Sequence, residues 1–436
     1  MTPDQRLRLM LFWTLDFLKG SPIKNNIKNI AFLNENYASE QAKMERRENM
    51  SRLINHASST VPFYKNLNAK KFSDFPIINK NTVRENFEDF KSKQYVGKKC
   101  EEVVTSGSTG TPFRLLHDMN KRHRHRADNL YFAKKGGYDL GDKVYLLRAS
   151  HSKDAKSIVQ FRKKNIIPYG IMNYTDTEMD KLFSKIKEDK NHKCIVCFAS
   201  MAKIIGNYLD KNDVEPLKAK IKSVITDGDS LDNEDKDKLA NFFQIPVFAR
   251  YGNMECGILG QQDEHSKYGY SLNWASYHYE ILALTKDVPA NKGELGRIVV
   301  TDFFNYSMPL IRYDTGDMAI LSESTHNGEA PFFERLEGRT VDLVYNTKGE
   351  ILSPYMVATK MLSYLELKQF QFAQVASKHY EFRLNPWGTF TREEQLKSES
   401  REYLGQDAKI TIKYVDDIPL LSSGKRRQVV NEIKKR

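Results

Sequence analysis

The spacing of apolar and polar positions changes along the chain. From about residue 95 to 250, short β-rich runs (VYLLRA, NIIPYGIM, CIVCFAS, SVITDGDSL, PVFARYGN) alternate with helix-length segments. That alternation predicts an α/β region with parallel pairing, since each helix returns the chain to start another strand in the same direction. From about 270 to 350 the strands HYEILAL, GELGRIVVTDFF, DMAILSE and TVDLVYNTKGEIL follow one another without helices. This part predicts an antiparallel or β-barrel-like subdomain. The last hundred or so residues read as a small α+β unit, large enough to fold around its own core. The boundary is placed at residues 337–339, giving a large N-terminal domain, 1–337, and a small C-terminal one, 338–436.

The N-terminal run RLRLMLFWTLDFLKG has a helical period with Asp16 inside it. It is too short to span a bilayer, and no transmembrane segment is expected. The expectation is an amphipathic helix docked on the protein's own core, with peripheral membrane contact as the other reading. No small-residue cleavage site follows the run, so no secretory leader is expected.

Charge changes this picture little. Lys and Arg number 68 against 56 acidic residues, a formal charge of +12. The excess invites a nucleic-acid or anionic-membrane reading. Both signs are spread along the chain, however, and neither an interleaved aromatic RNA motif nor a helix-turn-helix pattern is present. A solvated basic surface without a nucleic-acid partner is expected; KRHRHR (121–126) reads as a solvated helix face in preference to an anion site. Cys194 and Cys197 have zinc-like spacing, but no second close pair exists and their context reads as a buried strand. Core cysteines and a reducing cytoplasm follow. Cys256 and His265 are too few for a closed zinc site.

Four short stretches carry candidate chemistry. After a strand-like VV comes a turn of small and hydroxyl residues, Thr105, Ser106, Gly107, Ser108, Thr109 and Gly110. Such a turn can aim several N–H and O–H donors at phosphate oxygens. It lacks the lysine of a Walker loop, and a polar surface turn fits it equally well. Tyr251, Gly252, Asn253 and Glu255 follow the strand PVFAR, at the carboxyl end where ligands sit in open α/β sheets. PLIRYDTGD ends in Asp317, read as a loop aspartate able to accept from both ribose hydroxyls. LLSSGK presents Lys425 on a Gly-containing loop. Taken singly, each also reads as ordinary structure: core aromatic and surface acid, hairpin turn, basic tail.

In this order and spacing, the stretches resemble the adenylate-forming superfamily of acyl-CoA synthetases, luciferases and peptide-synthetase adenylation domains. VPFYKN, FPIINKNTVREN, GELGRIVVTDF, PLIRYDTGD and EGRTVDL resemble more closely the phenylacetate–CoA ligase branch, in its capsule-biosynthesis, CapK-like form. The resemblance runs from about residue 45 onward. It implies an enzyme, an AMP-forming acid ligase. A carboxylic acid and ATP give acyl-AMP and pyrophosphate, and the acyl group then passes to coenzyme A. Transfer to an amine or hydroxyl acceptor is the alternative.

The resemblance also implies residue roles. The turn 105–110 would cradle the β- and γ-phosphates, and Glu255 would help hold Mg²⁺, which favours a carboxylate plus phosphate oxygens. Tyr251 with Gly228, Asp229 and Ser230 would flank the adenine, and Asp317 would take the ribose. Arg339 would reach the nucleotide, and Lys425 would bridge the attacking carboxylate and the α-phosphate. Asp342 falls at the hinge about which the small domain turns between half-reactions. A monomer or homodimer acting on a small-molecule acid is expected.

Three positions depart from the pattern: Thr111 where many relatives carry lysine, Met254 where Thr or Ser is usual, and Val341 where an acid is usual. They leave open a degenerate member that binds nucleotide without turnover.

Overall fold

The computed structural model describes residues 2–69, 71–105, 113–148, 161, 164–170, 175–228, 231–264, 266, 268–322, 329–339, 344–352, 357, 360–361, 363–364, 366–419 and 427–433. The chain forms two compact units, one of Met1–Thr315 with Ala319–Leu336 and one of Gly316–Met318 with Glu337–Arg436.

The first unit opens with helices α1 (Pro3–Phe17), α2 (Pro22–Glu35), α3 (Glu40–Thr60), α4 (Pro62–Asn66) and α5 (Lys80–Glu85). Polar N-caps set several starts. Thr2 forms a capping box with Gln5, Ser39 caps α3, and the Asn79 side chain accepts from Asn81 and Thr82 N–H. A hairpin follows, β1 (Glu101–Thr105) and β2 (Phe113–His117), and then α6 (Met119–Lys135), capped by Asp118.

The strands expected to be parallel are β3 (Lys143–Arg148), β4 (Ile166–Gly170), β5 (Lys193–Phe198), β6 (Ile221–Asp227) and β7 (Val247–Asn253). They pair in parallel, in the spatial order β7-β6-β5-β3-β4. The helices Asp176–Glu188, Ala199–Lys211 and Asn233–Phe243 connect them, with Phe183, Tyr208, Phe242 and Phe243 packed into one aromatic cluster. Each buries one apolar stripe against the sheet, as a period of 3.6 dictates.

The strand-rich stretch supplies β8 (Gly257–Gln261), β9 (Tyr270–Leu272), β10 (Tyr277–Leu282), β11 (Gly296–Asp302), β12 (Tyr313–Leu321) and β13 (Phe332–Arg339). These extend the same sheet in the order β10-β11-β12-β13-β9-β8-β7, with antiparallel pairing at β7–β8, β8–β9, β9–β13 and β10–β11. One eleven-stranded sheet therefore changes from parallel to antiparallel at β7. Tyr251 and Glu255 occupy that junction.

The second unit carries the small pair β14 (Val344–Tyr345) and β15 (Ile351–Leu352), and a four-stranded sheet. Its strands are β16 (Leu367–Ala376), β17 (His379–Pro386), β18 (Lys409–Tyr414) and β19 (Val429–Asn431), in the order β18-β17-β16-β19. Helix Glu393–Leu404 makes the crossover between parallel β17 and β18. Phe372, Tyr380, Phe382, Leu384, Leu396 and Leu404 form its core.

Two expectations about the helices need correction. Helix α1 docks through Gln5, Phe12, Trp13 and Asp16, so its leucine-rich face points outward. Leu7, Met10, Leu11, Leu15, Phe17 and Leu18 are each more than half exposed. Asp16 lies inside because its two oxygens accept from the Ile23 and Lys24 N–H groups at the start of α2, both at 3.0 Å. KRHRHR is not a solvated face either: Lys121 and Arg124 are wholly buried, while Arg122 and Arg126 face outward. The cysteines are free thiols, with Cys194, Cys197 and Cys256 in the core, as expected. Burial pushes the Cys197 thiol up to about 12.

Candidate functional site

The turn joining β7 to β8 has little freedom. A Cβ on Gly252 would lie 2.5 Å from the Gly257 carbonyl oxygen, and Gly257 itself has φ +104°. Glycine is therefore required where the two strands approach. Inside the turn, the Asn253 side-chain oxygen accepts from the Cys256 N–H at 2.7 Å. These constraints turn Glu255 inward, 1 % exposed, while Met254 points outward.

A buried carboxylate needs a partner. Lys80 supplies it, forming an ion pair with Glu255 Oε1, and the Tyr313 hydroxyl donates to the same oxygen at 3.4 Å. Backbone pairing brings Lys80 there. Ile78 bridges Tyr313 in parallel, its N–H donating to Arg312 O and its carbonyl accepting from Asp314 N–H. Two residues on, Lys80 opens α5 against β2, its Nζ 5.7 Å from the centre of the Phe113 ring. Phe113 is paired with Thr105, so these two residues are the roots of the hairpin that carries residues 106–112. Segments distant in sequence thus place one ammonium and one carboxylate beside the start of that loop.

His117, at the far end of β2, donates from Nε2 to the Glu255 carbonyl oxygen at 2.8 Å. Burial first, and then the Lys121 charge, hold its pKa down to about 4, so the ring is neutral at pH 7. Behind it, Lys121 Nζ lies 2.6 Å from Asp302 Oδ2, an ion pair with both side chains fully buried. Lys121 also donates to the Tyr277 hydroxyl at 3.0 Å, and that hydroxyl donates to Cys256 O. Arg124 reaches Ser276, Ala275, Asn26 and Asn29, joining α6 to α2 and to the turn before β10. The 255–256 backbone is thereby held from two sides by side chains that are themselves fixed.

The other expected residues fall as follows. Tyr251 is buried, with its hydroxyl donating to Thr315 Oγ1 at 3.4 Å. Gly228 follows β6 with φ +99°, its N–H donating to Asp227 Oδ1. Since Thr226 pairs with Ala249, Gly228 and Tyr251 stand at the same carboxyl-end edge of the parallel strands. Asp317 is half-buried within β12, not in a loop between strands; Gly316, at φ +80°, kinks the strand without ending it. Ser106, Gly107, Ser108, Thr109, Gly110, Thr111, Asp229, Ser230, Val341, Asp342, Lys425 and the side chains of Thr105 and Arg339 lie outside the described residues.

Lys80, Tyr313 and His117 were not singled out from the sequence. For Lys80 the signal was present: it is the only cation in FPIIN-K-N, at the first position of a capped helix. For Mg²⁺ the residues fit modestly. Glu255 offers one carboxylate in a fixed place, which suits an ion that takes few protein ligands and several phosphate oxygens. Among the described residues no group of three or more His, Cys, Asp or Glu forms a metal cluster.

Comparison with known proteins bears on the fold. The chain is similar to 2-hydroxyisobutyryl-CoA ligase in its postadenylation state, at a TM-score of 0.68 and 15 % identity, over 91 % of this chain and 90 % of that one. It is also similar to ATP-bound MatB from Rhodopseudomonas palustris (TM-score 0.56, 14 % identity, 75 % and 66 % covered). A third likeness is to the amide bond synthetase McbA from Marinactinospora thermotolerans (TM-score 0.54, 12 % identity, 75 % and 66 % covered). The fold is that of the adenylate-forming ligases. In sequence, the chain is similar to Protein CapK of Staphylococcus aureus, 21 % identical over 425 residues that cover 94 % of this chain and 92 % of that protein. Residues 344–432 match the family model described as the CapK C-terminal domain.

Proposed function

We propose that the protein activates a small carboxylic acid with ATP, forming an acyl-adenylate and pyrophosphate, and then transfers the acyl group to coenzyme A. The observation that carries this reading is the Lys80–Glu255 pair beside the root of the hydroxyl-rich hairpin. It supplies the cation that the loop itself lacks. A triphosphate laid along residues 105–110 would draw Lys80 towards its oxygens and leave Glu255 to hold Mg²⁺ with them. The metal, when bound, neutralises charge on the phosphates.

The chain's own groups have separate tasks. Tyr251, with Gly228, Asp229 and Ser230, flanks the adenine. Gly252 and Asn253 keep the turn closed, so that Glu255 does not move as charge develops. Asp317 takes the ribose and Arg339 the nucleotide; Lys425 stabilises the attacking carboxylate and the α-phosphate together. Turning about Asp342 divides adenylation from transfer. Domains 1–337 and 338–436 then correspond to nucleotide binding and catalysis. A monomer or homodimer working in the cytoplasm fits this reading.

Acid-dependent ATP–pyrophosphate exchange, screened over aryl, fatty and amino acids, tests it. Exchange that requires both acid and ATP, followed by CoA-dependent AMP release, is the expected result; no exchange with any acid sinks the proposal. A second reading keeps the adenylate but passes the acyl group to an amine or hydroxyl. It draws on the likeness to a protein described as an amide bond synthetase and on the similarity to CapK. Acyl-AMP detected by mass spectrometry, with no thioester on adding CoA, distinguishes it.

A further inference from the structure

Helix α1 is mounted with its apolar face outward, and the mounting is specific. Four contacts hold the inner side. Gln5 Nε2 donates to His192 O at 2.8 Å, and Asp16 caps α2. Phe12 and Trp13 pack into the α2–α6 cluster, with the Arg126 guanidinium 4.7 Å from the centre of the Phe12 ring. At 3.6 residues per turn, Leu7, Leu11, Leu15 and Leu18 then align along the opposite side, with Met10 and Phe17 beside them. All six are exposed along this ridge of the helix. The chain invests its polar side chains in the inner contacts and leaves hydrocarbon in water, the reverse of a core-seeking helix.

The charges around the ridge identify what it meets. Arg6, Lys24, Lys28 and Arg126 are exposed on α1, α2 and α6 and Lys19 just after α1, while Arg122 on α6 is paired with Glu101. Within residues 2–28 the acids are Asp4, paired with Arg8, and the buried Asp16. Burial, and then Lys19, Arg122 and Arg126 acting against Asp16, keep the His123 pKa below its ordinary value, so these three cations lie near His123 on α6. A second copy meeting this face about a two-fold axis would bring like charge onto like charge. An apolar ridge fringed by arginine and lysine suits a bilayer interface, where leucines enter the acyl boundary and the cations meet anionic headgroups. We propose that α1 seats the protein peripherally on an anionic membrane surface.

Sedimentation of the full-length protein with vesicles tests this. With phosphatidylcholine and phosphatidylglycerol in equal parts the protein should pellet, and with phosphatidylcholine alone it should stay in solution. Raising salt from about 0.1 M to about 1 M should release it, because the screening length falls from about 10 Å to about 3 Å. Leu11→Ser with Leu15→Ser should lower the partition coefficient at least about tenfold without shifting thermal unfolding, since both side chains are already exposed. Lys24→Glu with Lys28→Glu should weaken pelleting while the ridge is intact. Failure of the wild type to pellet with anionic vesicles overturns the proposal, as does equal pelleting of the leucine variant. So does a lipid-free dimer in light scattering that the leucine variant converts to monomer. None of these outcomes bears on acid activation in solution.

Discussion

Lys80 and Glu255 are each other's partners, and that makes them separable by substitution. Lys80→Gln removes a charged contact to phosphate, typically about 1.5–3 kcal/mol, or about ten- to a hundredfold in ATP–pyrophosphate exchange. The same change strands a carboxylate that is 1 % exposed, so the unfolding midpoint should fall as well. Adding Glu255→Gln to Lys80→Gln should restore much of the stability and none of the exchange. If the double variant recovers both, the pair is structural and the proposed phosphate role fails. His117 gives a second test at this scale. Its folded pKa of about 4 lies below the ordinary imidazole value of about 6.5. Between those values the unfolded chain binds the extra proton, so stability is present above about pH 6.5 and is lost as pH falls towards 4. His125, also held to about 4 mainly by burial, adds in the same sense. Asp235, pushed up to about 6 mainly by burial, acts oppositely, losing stability as pH rises through that value. His117→Gln should therefore show a shallower fall in urea midpoint between pH 7 and pH 4.5 than the wild type, read by circular dichroism.

The β7–β8 turn couples fold to site, because one glycine decides whether two strands can approach. Gly252→Ala sets a methyl 2.5 Å from a backbone oxygen that cannot yield without moving Glu255. We expect a loss of about 1–3 kcal/mol in urea unfolding, typical of overpacking, with a larger relative loss of exchange activity than of stability. Activity unchanged in that variant would show that the turn does not position Glu255. The parallel strands around this turn were legible in the sequence because strand and helix periods alternate over short distances. The motif at Tyr251 was legible for the same reason, as it directly follows a strand. The contacts that complete the site were not. Lys80 reaches Glu255 only through the bridge from Ile78 to Tyr313, which no local pattern encodes. Lys121 and Arg124 read as solvated because their partners Asp302, Ser276 and Asn29 lie on other elements. The direction of α1 was missed likewise, since periodicity gives a face and not what covers it.

At the scale of the molecule, the chain forms two units with separate cores. The first carries a fixed carboxylate and ammonium at the edge where parallel pairing becomes antiparallel. The second is a small sheet with one crossover helix, and the proposal gives it Lys425. That division has a kinetic consequence. A cation delivered from a separate unit should be essential to one half-reaction and dispensable in the other, whereas one built into the large sheet would serve both. Lys425→Ala should lower acid-dependent ATP–pyrophosphate exchange by about two to three orders of magnitude, the usual cost of removing one preorganised charge from a developing transition state. Thermal unfolding should not move. Given synthetic acyl-adenylate and CoA, the same variant should make thioester at close to the wild-type rate. Equal loss of both half-reactions would mean that Lys425 acts throughout, or holds the unit together. Undiminished exchange would place the adenylating cation elsewhere, with Lys80 the first residue to examine, since it is already in contact with the carboxylate at the site.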